Sequence, residues 1–251
     1  MCLLVGLGCQ RGSPSFSPLP EASAPIVATP SASAAPPAPV REARGPSPEP
    51  PRDGVYMGRR IAAPMSHLGA GWLERASRES EQKPEHVLDV IGVRRGQTVC
   101  DFGAGSGYFT VRLARRVGPE GRVFAVDVQP EMLALLRKKL DGEKITNVTP
   151  LLAKPSEPSL PRASVDLVLM VDVYHELERP DLTMAQLRAA LTPGGRVVWV
   201  EYRAEDPGVQ IKPEHKTTLA QLRREALASG YSVEVVDESL PQQRIVVLAP
   251  R

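Results

Sequence analysis

The chain has 251 residues, 42% of them hydrophobic and 24% charged, with a formal net charge of +2. That length allows one good-sized globular domain and a tail, and the near-neutral balance argues against a protein held mainly by nucleic-acid phosphates. No run approaches the roughly 20 apolar residues that span a bilayer, and three cysteines make no disulfide framework.

Residues 1–12 read MCLLVGLGCQRG. An apolar stretch ending at Gly8-Cys9 resembles the end of a bacterial lipoprotein signal, in which the cysteine is lipidated after cleavage. It departs from that pattern in having no basic opening and a short apolar core, and the other reading is an apolar leader with no signal role. A lipid anchor at Cys9 would place the protein in the cell envelope; without one the chain reads as cytoplasmic. Residues 13–55 form a Pro/Ala/Ser-rich linker, with twelve of the chain's 26 prolines between positions 13 and 52. Small side chains and missing N–H donors cannot offset the entropy of ordering, so this segment is expected to stay extended and disordered.

The folded domain is expected over 56–251, as a helical cap over 56–95 and an α/β core over 96–251. Helical spacing covers 70–80 and 85–90, with Pro84 at a helix start. Strands are then expected at 97–102, 122–127, 147–152, 165–171 and 196–202. Helices fall between them at 108–117, 131–140 and 181–190, and a further one at 215–229. Two last strands, 232–237 and 244–248, have no helix between them and should pair as an antiparallel hairpin. This alternation predicts a Rossmann-like, doubly wound sheet of seven strands, mostly parallel, with helices on both faces. With aromatic residues at only 4%, its core must be aliphatic, and Cys100 reads as part of it.

The strongest chemical signal is Asp101-Phe102-Gly103-Ala104-Gly105-Ser106-Gly107, set directly after a strand and before a helix. Glycines let the backbone turn sharply and approach a ligand, and the helix start offers free N–H groups. The dinucleotide fingerprint G-x-G-x-x-G would need a third glycine at position 108, where Tyr108 stands. Asp127 ends the next strand, about 20 residues on, where a carboxylate can accept both hydroxyls of a ribose. Its other reading is a cap for the helix that follows Pro130.

DFGAGSG, VFAVD ending at Asp127, DLVLMVD ending at Asp172 and the turn LTPGGR resemble the successive motifs of class I S-adenosylmethionine-dependent methyltransferases. The resemblance covers 97–248 and is nearest to small-molecule enzymes of the ubiquinone/menaquinone-biosynthesis type. It implies S-adenosylmethionine as cofactor, with Gly103, Gly105 and Gly107 along its methionine part and Asp101 at its amino group. Asp127 and the neighbouring Val128 would meet the ribose, and Asp172 would stand where cofactor and acceptor meet. One departure is the stretch after the third strand, Leu151 to Glu157, which lacks the usual acid for adenine; Ser156 or Glu157 would have to substitute.

Candidates for chemistry on the acceptor are Tyr174, His175 and Glu176, in one turn after the fourth strand, and Glu201 at the end of the fifth. His175 titrates near neutrality and suits a general base; its other reading is a structural hydrogen-bonding residue. Trp72 in the cap is a lid contact or a core anchor. His215 is expected to open a helix, and the His, Glu, His set has no compact ligand spacing, so no metal is expected. The function expected is methyl transfer to a small molecule, with no nucleic-acid partner. The alternatives are a cofactor-binding module without transfer and an NAD-dependent oxidoreductase.

Overall fold

A computed structural model describes residues 49–154 and 157–251. The leader with Cys9, most of the expected linker, and Ser156 lie outside the described residues. Among the described residues the first pairing is that of Arg52 with Val55, and β1 (Val55–Tyr56) and β2 (Arg59–Arg60) form a small antiparallel hairpin.

Three short helices follow, α1 (Ala70–Leu73), α2 (Arg78–Gln82) and α3 (Pro84–Val90). The single helix expected over 70–80 is therefore broken. Its first turn ends at Glu74, and α2 restarts beyond Ser77. Lys83 takes a left-handed conformation between α2 and α3, which lets Pro84 occupy the first turn of α3, where its missing N–H costs nothing.

The α/β core then runs β3 (Thr98–Phe102), α4 (Tyr108–Val117), β4 (Arg122–Asp127), α5 (Pro130–Glu143), β5 (Val148–Leu152) and β6 (Val165–Val171). It continues with α6 (Pro180–Ala190), β7 (Leu191–Arg203), the two-residue β8 (Lys216–Thr217), α7 (Leu219–Ala228), β9 (Tyr231–Asp237) and β10 (Gln243–Pro250). Seven strands lie in the order β5-β4-β3-β6-β7-β10-β9, and β8 adds an eighth alongside the end of β7. All neighbours are parallel except β10, which is antiparallel to both β7 and β9. The terminal hairpin forms as expected, with its second strand placed inside the sheet and its first at the edge. Strand β7 starts earlier than expected: Val165 pairs with Leu191 but Leu167 with Arg196, so Thr192–Gly195 bulge out of the ladder.

Alternation along each strand divides the core between the two faces. Cys100, Val168, Met170, Trp199, Val246 and Leu248 pack toward α6 and α7 through Met184, Leu187 and Leu222. Val99, Leu167, Leu169, Val198 and Val247 pack toward α3 and α4 through Leu88, Ile91, Phe109 and Leu113. Among the described residues no helix is long and apolar enough to cross a membrane.

Candidate active site

Strands β4 and β5 lie to one side of β3, and β6 and β7 to the other. Where chain progression reverses in this way, the loops at the strand ends part and leave a crevice. A cavity of about 770 Å³ opens there, lined by Asp101–Ser106 at the end of β3, Asp127–Gln129 at the end of β4 and Asp172, Val173 and His175–Glu178 after β6. Fold topology thus brings the residues expected at the cofactor to one edge, although Gly107 itself does not line the cavity.

The glycine loop is held in an unusual backbone shape. Gly103, Gly105 and Gly107 have φ of 78°, 54° and 93°, values that L side chains adopt only with strain. At Gly103 space is short as well, since a Cβ would stand 2.3 Å from Cγ2 of Val173. Gly103→Ala should therefore cost about 2–4 kcal/mol through strain and overpacking. A thermal melt lower by roughly 5–15 °C is the expected reading.

Asp127 braces this loop. Its Oδ2 accepts the Gly105 N–H at 2.8 Å and its Oδ1 the Gln129 N–H at 2.9 Å. The carboxylate lines the cavity, and it holds the backbone of Gln129, the residue that precedes α5. Burial raises its pKa, opposed by these backbone donors. Asp101 is buried, accepts the Thr110 hydroxyl at 2.6 Å, and is pushed up to about 6 by desolvation. Val128 is half exposed at the cavity rim.

The cap closes over the loop through polar straps. Gln129 donates to the Met65 carbonyl and accepts from the His67 N–H, and Ser106 donates to Glu74. Trp72 and Leu73 line the cavity, with Arg75 stacked 3.6 Å over the Trp72 ring. Trp72 is half exposed at the cavity wall and so is no core anchor. Arg78, a residue that the sequence reading passed over, is buried in the cavity wall, 4.1 Å over the Tyr108 ring. Its signal was weak, because a lone arginine on an amphipathic stretch reads as solvent-facing.

The four acceptor-side candidates separate into two groups. His175 and Glu176 line the cavity; Tyr174 and Glu201 do not. The Tyr174 ring stacks on Trp199 with centroids 3.7 Å apart, and its hydroxyl donates to Glu225 at 2.6 Å. The expectation that Tyr174 meets the acceptor is corrected: the single 3₁₀ turn after β6 sends it into the core. Glu201 is fully buried, accepting from the Tyr174 N–H at 3.0 Å and holding His175 Nδ1 at 2.6 Å. It is a positioning residue for His175. Burial opposes protonation of His175, but the charge and hydrogen bond of Glu201 outweigh it, so its pKa lies above the ordinary value. Burial pushes Glu176 up to about 8.

Asp172 directly follows β6, has a left-handed φ of 57° and lines the cavity. Gln82 and Gln243 donate to its two oxygens at 2.8 and 2.6 Å, and burial pushes it up to about 6. Through these two glutamines it ties the cap to β10.

His215 is the residue whose place differs most from expectation. Helix α7 starts at Leu219, with the Thr218 hydroxyl accepting the Gln221 N–H at 3.1 Å. His215 instead ends a 3₁₀ turn before β8 and faces His175, with Nδ1 3.0 Å from His175 Nε2. Burial and the neighbouring His175 lower its pKa. Of the two adenine candidates, Glu157 pairs with Lys154 at 3.9 Å and does not line the cavity, whereas Ala153 and Lys154 do.

Residues 99–195 match the model of a family described as "Methyltransferase domain". The ubiquinone/menaquinone biosynthesis C-methyltransferase UbiE of Idiomarina loihiensis is 33% identical over 118 residues, 47% of each chain. The protein-L-isoaspartate O-methyltransferase of Ignicoccus hospitalis is 31% identical over 126 residues, 50% of this chain and 56% of that protein. The chain spans about half the length of the curated relatives it matches. The crystal structure of an S-adenosylmethionine-dependent methyltransferase from Aquifex aeolicus superimposes with a TM-score of 0.70 at 26% identity, covering 74% of this chain and 98% of that one. A crevice at the strand-order reversal, a left-handed glycine loop and a carboxylate closing the second strand agree with these likenesses, and residues 99–195 are similar to a methyltransferase domain on the fold of S-adenosylmethionine-dependent methyltransferases.

Proposed function

We propose that this protein transfers a methyl group from S-adenosylmethionine to a small-molecule acceptor. The observation that carries the reading is one cavity with two unlike walls. On one side stand the glycine loop, Asp101 and Asp127; on the other stand His175, Glu176 and His215. The residues of the first wall fit the cofactor: Asp127 for the ribose hydroxyls, Asp101 for the cationic amino group, and the buried guanidinium of Arg78 for the carboxylate. When bound, S-adenosylmethionine supplies an electrophilic methyl group, so the protein's own work is alignment and proton removal. The second wall takes up the acceptor's proton. Glu201 fixes the His175 ring so that Nε2 faces His215 and the cavity, and the cap residues Trp72 and Leu73 restrict the entry of water.

The pH dependence of binding follows from Asp101. Its folded pKa of about 6 lies above the ordinary carboxyl value, so its contribution to stability is full below about pH 4 and is lost as pH rises through 6. A cationic amino group favours the ionised form, so binding expels the proton below pH 6. Calorimetric affinity for S-adenosylmethionine should be about tenfold weaker at pH 5 than at pH 7.5, and Asp101→Asn should flatten that slope.

Titration of the full chain with S-adenosylmethionine, with NAD as control, tests the cofactor. Binding of NAD alone would sink the reading. Transfer is read as tritium moved from labelled S-adenosylmethionine into the small-molecule fraction of a cell extract. His175→Ala should keep the cofactor affinity and slow transfer by about 10²-fold or more. Cofactor binding with no transfer by the parent chain would leave a binding module.

A further inference from the structure

We propose that His175, Glu176 and His215 form a binding site for a divalent cation of the zinc class, with its open coordination position on the cavity. His175 Nε2 and His215 Nδ1 are 3.0 Å apart, and each lies 3.9 Å from the same oxygen, Oε1 of Glu176. A triangle with these sides has its centre about 2.1 Å from all three atoms, which is the usual length of zinc bonds to imidazole nitrogen and carboxylate oxygen. Two neutral imidazoles and one carboxylate are a common donor set for such ions. The rings meet edge to face, 82° apart.

The support behind the ligands matches what such sites need. Glu201 engages Nδ1 of His175 at 2.6 Å, which assigns the proton to that nitrogen and leaves the Nε2 lone pair directed at His215. Glu201 is in turn held by the Tyr174 N–H at 3.0 Å. Arg59 and the Ala62 N–H both donate to the His175 carbonyl, at 2.9 and 3.1 Å. The imidazole is therefore fixed at both its ring and its backbone. His215 arrives on the turn between β7 and β8, whose residues Gln210–Lys212 and Glu214 also line the cavity. That side offers the fourth position to an incoming group. No compact spacing marks the set in the sequence, since Glu176 and His215 stand 39 positions apart; the sheet edge assembles it.

What the cation would do rests on the methyl-transfer reading. A hydroxyl or thiol of the acceptor at the fourth position would bind the ion through oxygen or sulfur and release its proton to solvent water more readily, the three side chains then serving as ligands in place of the proton acceptors of the metal-free site. The acceptor class is then a molecule with such a group next to the reacting atom or as that atom.

The test uses the untagged full chain, stripped with chelator and titrated with Zn²⁺ by calorimetry and with Co²⁺ by visible absorption. The expected result is one equivalent bound at micromolar affinity or tighter. The Co²⁺ bands should be those of a four-coordinate nitrogen and oxygen site, without thiolate charge transfer. His215→Ala should weaken Zn²⁺ at least about 100-fold, more than the loss of a supporting hydrogen bond costs, and Glu176→Gln should weaken it too. Both variants should keep the parent's affinity for S-adenosylmethionine, which reports that the fold is intact. Absence of Zn²⁺ binding, thiolate bands, or affinity unmoved by His215→Ala would each overturn the site, leaving a hydrogen bond between two histidines. A parent chain that binds Zn²⁺ but not S-adenosylmethionine would instead fell the methyl-transfer reading alone.

Discussion

Asp127→Ala should weaken S-adenosylmethionine at least about 100-fold while the chain stays folded. On the proposed function, two charge-assisted hydrogen bonds from ribose hydroxyls to this carboxylate, at about 1.5–3 kcal/mol each, would account for that loss. The same carboxylate accepts the Gly105 and Gln129 N–H groups. Its removal therefore also loosens the loop, at about 1–3 kcal/mol of stability for donors left without a partner. The two effects separate by experiment, since calorimetry reads the first and urea unfolding the second. Asp127→Asn keeps one acceptor oxygen and should recover much of the stability but little of the affinity. Unchanged affinity in Asp127→Ala would mean that the cofactor lies elsewhere.

The larger loss of stability is expected at Arg59. Its guanidinium meets Glu225 through Nε and Nη2 at 3.0 and 3.1 Å, and both residues are buried. Glu225 also accepts the Tyr174 hydroxyl and the Gln221 amide, each at 2.6 Å. Arg59→Ala strands a buried carboxylate, which costs about 3–5 kcal/mol and should lower the melting temperature by roughly 6–20 °C. The double variant Arg59→Met/Glu225→Met should regain part of that stability, because an apolar pair of similar volume needs no solvation, although the Tyr174 hydroxyl and the Gln221 amide then lose their acceptor. It should not regain full transfer, since the His175 carbonyl still lacks the Arg59 donor. A double variant no more stable than Arg59→Ala would assign the cost to packing instead.

Most of the fold was legible because its signals are local. Helix α4 and strands β4 and β6 carry apolar residues at periods that admit one reading, and their observed limits match those expected. The residues expected to meet the cofactor could be picked out for a related reason: they sit at the ends of β3, β4 and β6. What escaped depends on long-range contact. Nothing near position 174 tells that Tyr174 turns into the core while His175, one residue on, turns to the cavity. His215 needs a partner 40 positions away. The start of α7 was readable after all, since Thr218 and Gln221 have the spacing of a capping box, and it was hidden only by the helix-tolerant residues before it.

The place of β10 in the sheet has a consequence for synthesis. It pairs with β7 on one side and β9 on the other, yet among the described elements it is the last to leave the ribosome. Until residues 243–250 emerge, β7 has one long, apolar, unpaired edge from Val197 to Tyr202, and β9 has nothing to dock against. Such an edge invites pairing with a neighbouring chain. A nascent chain paused between α7 and β10 is the species that chaperones must shield.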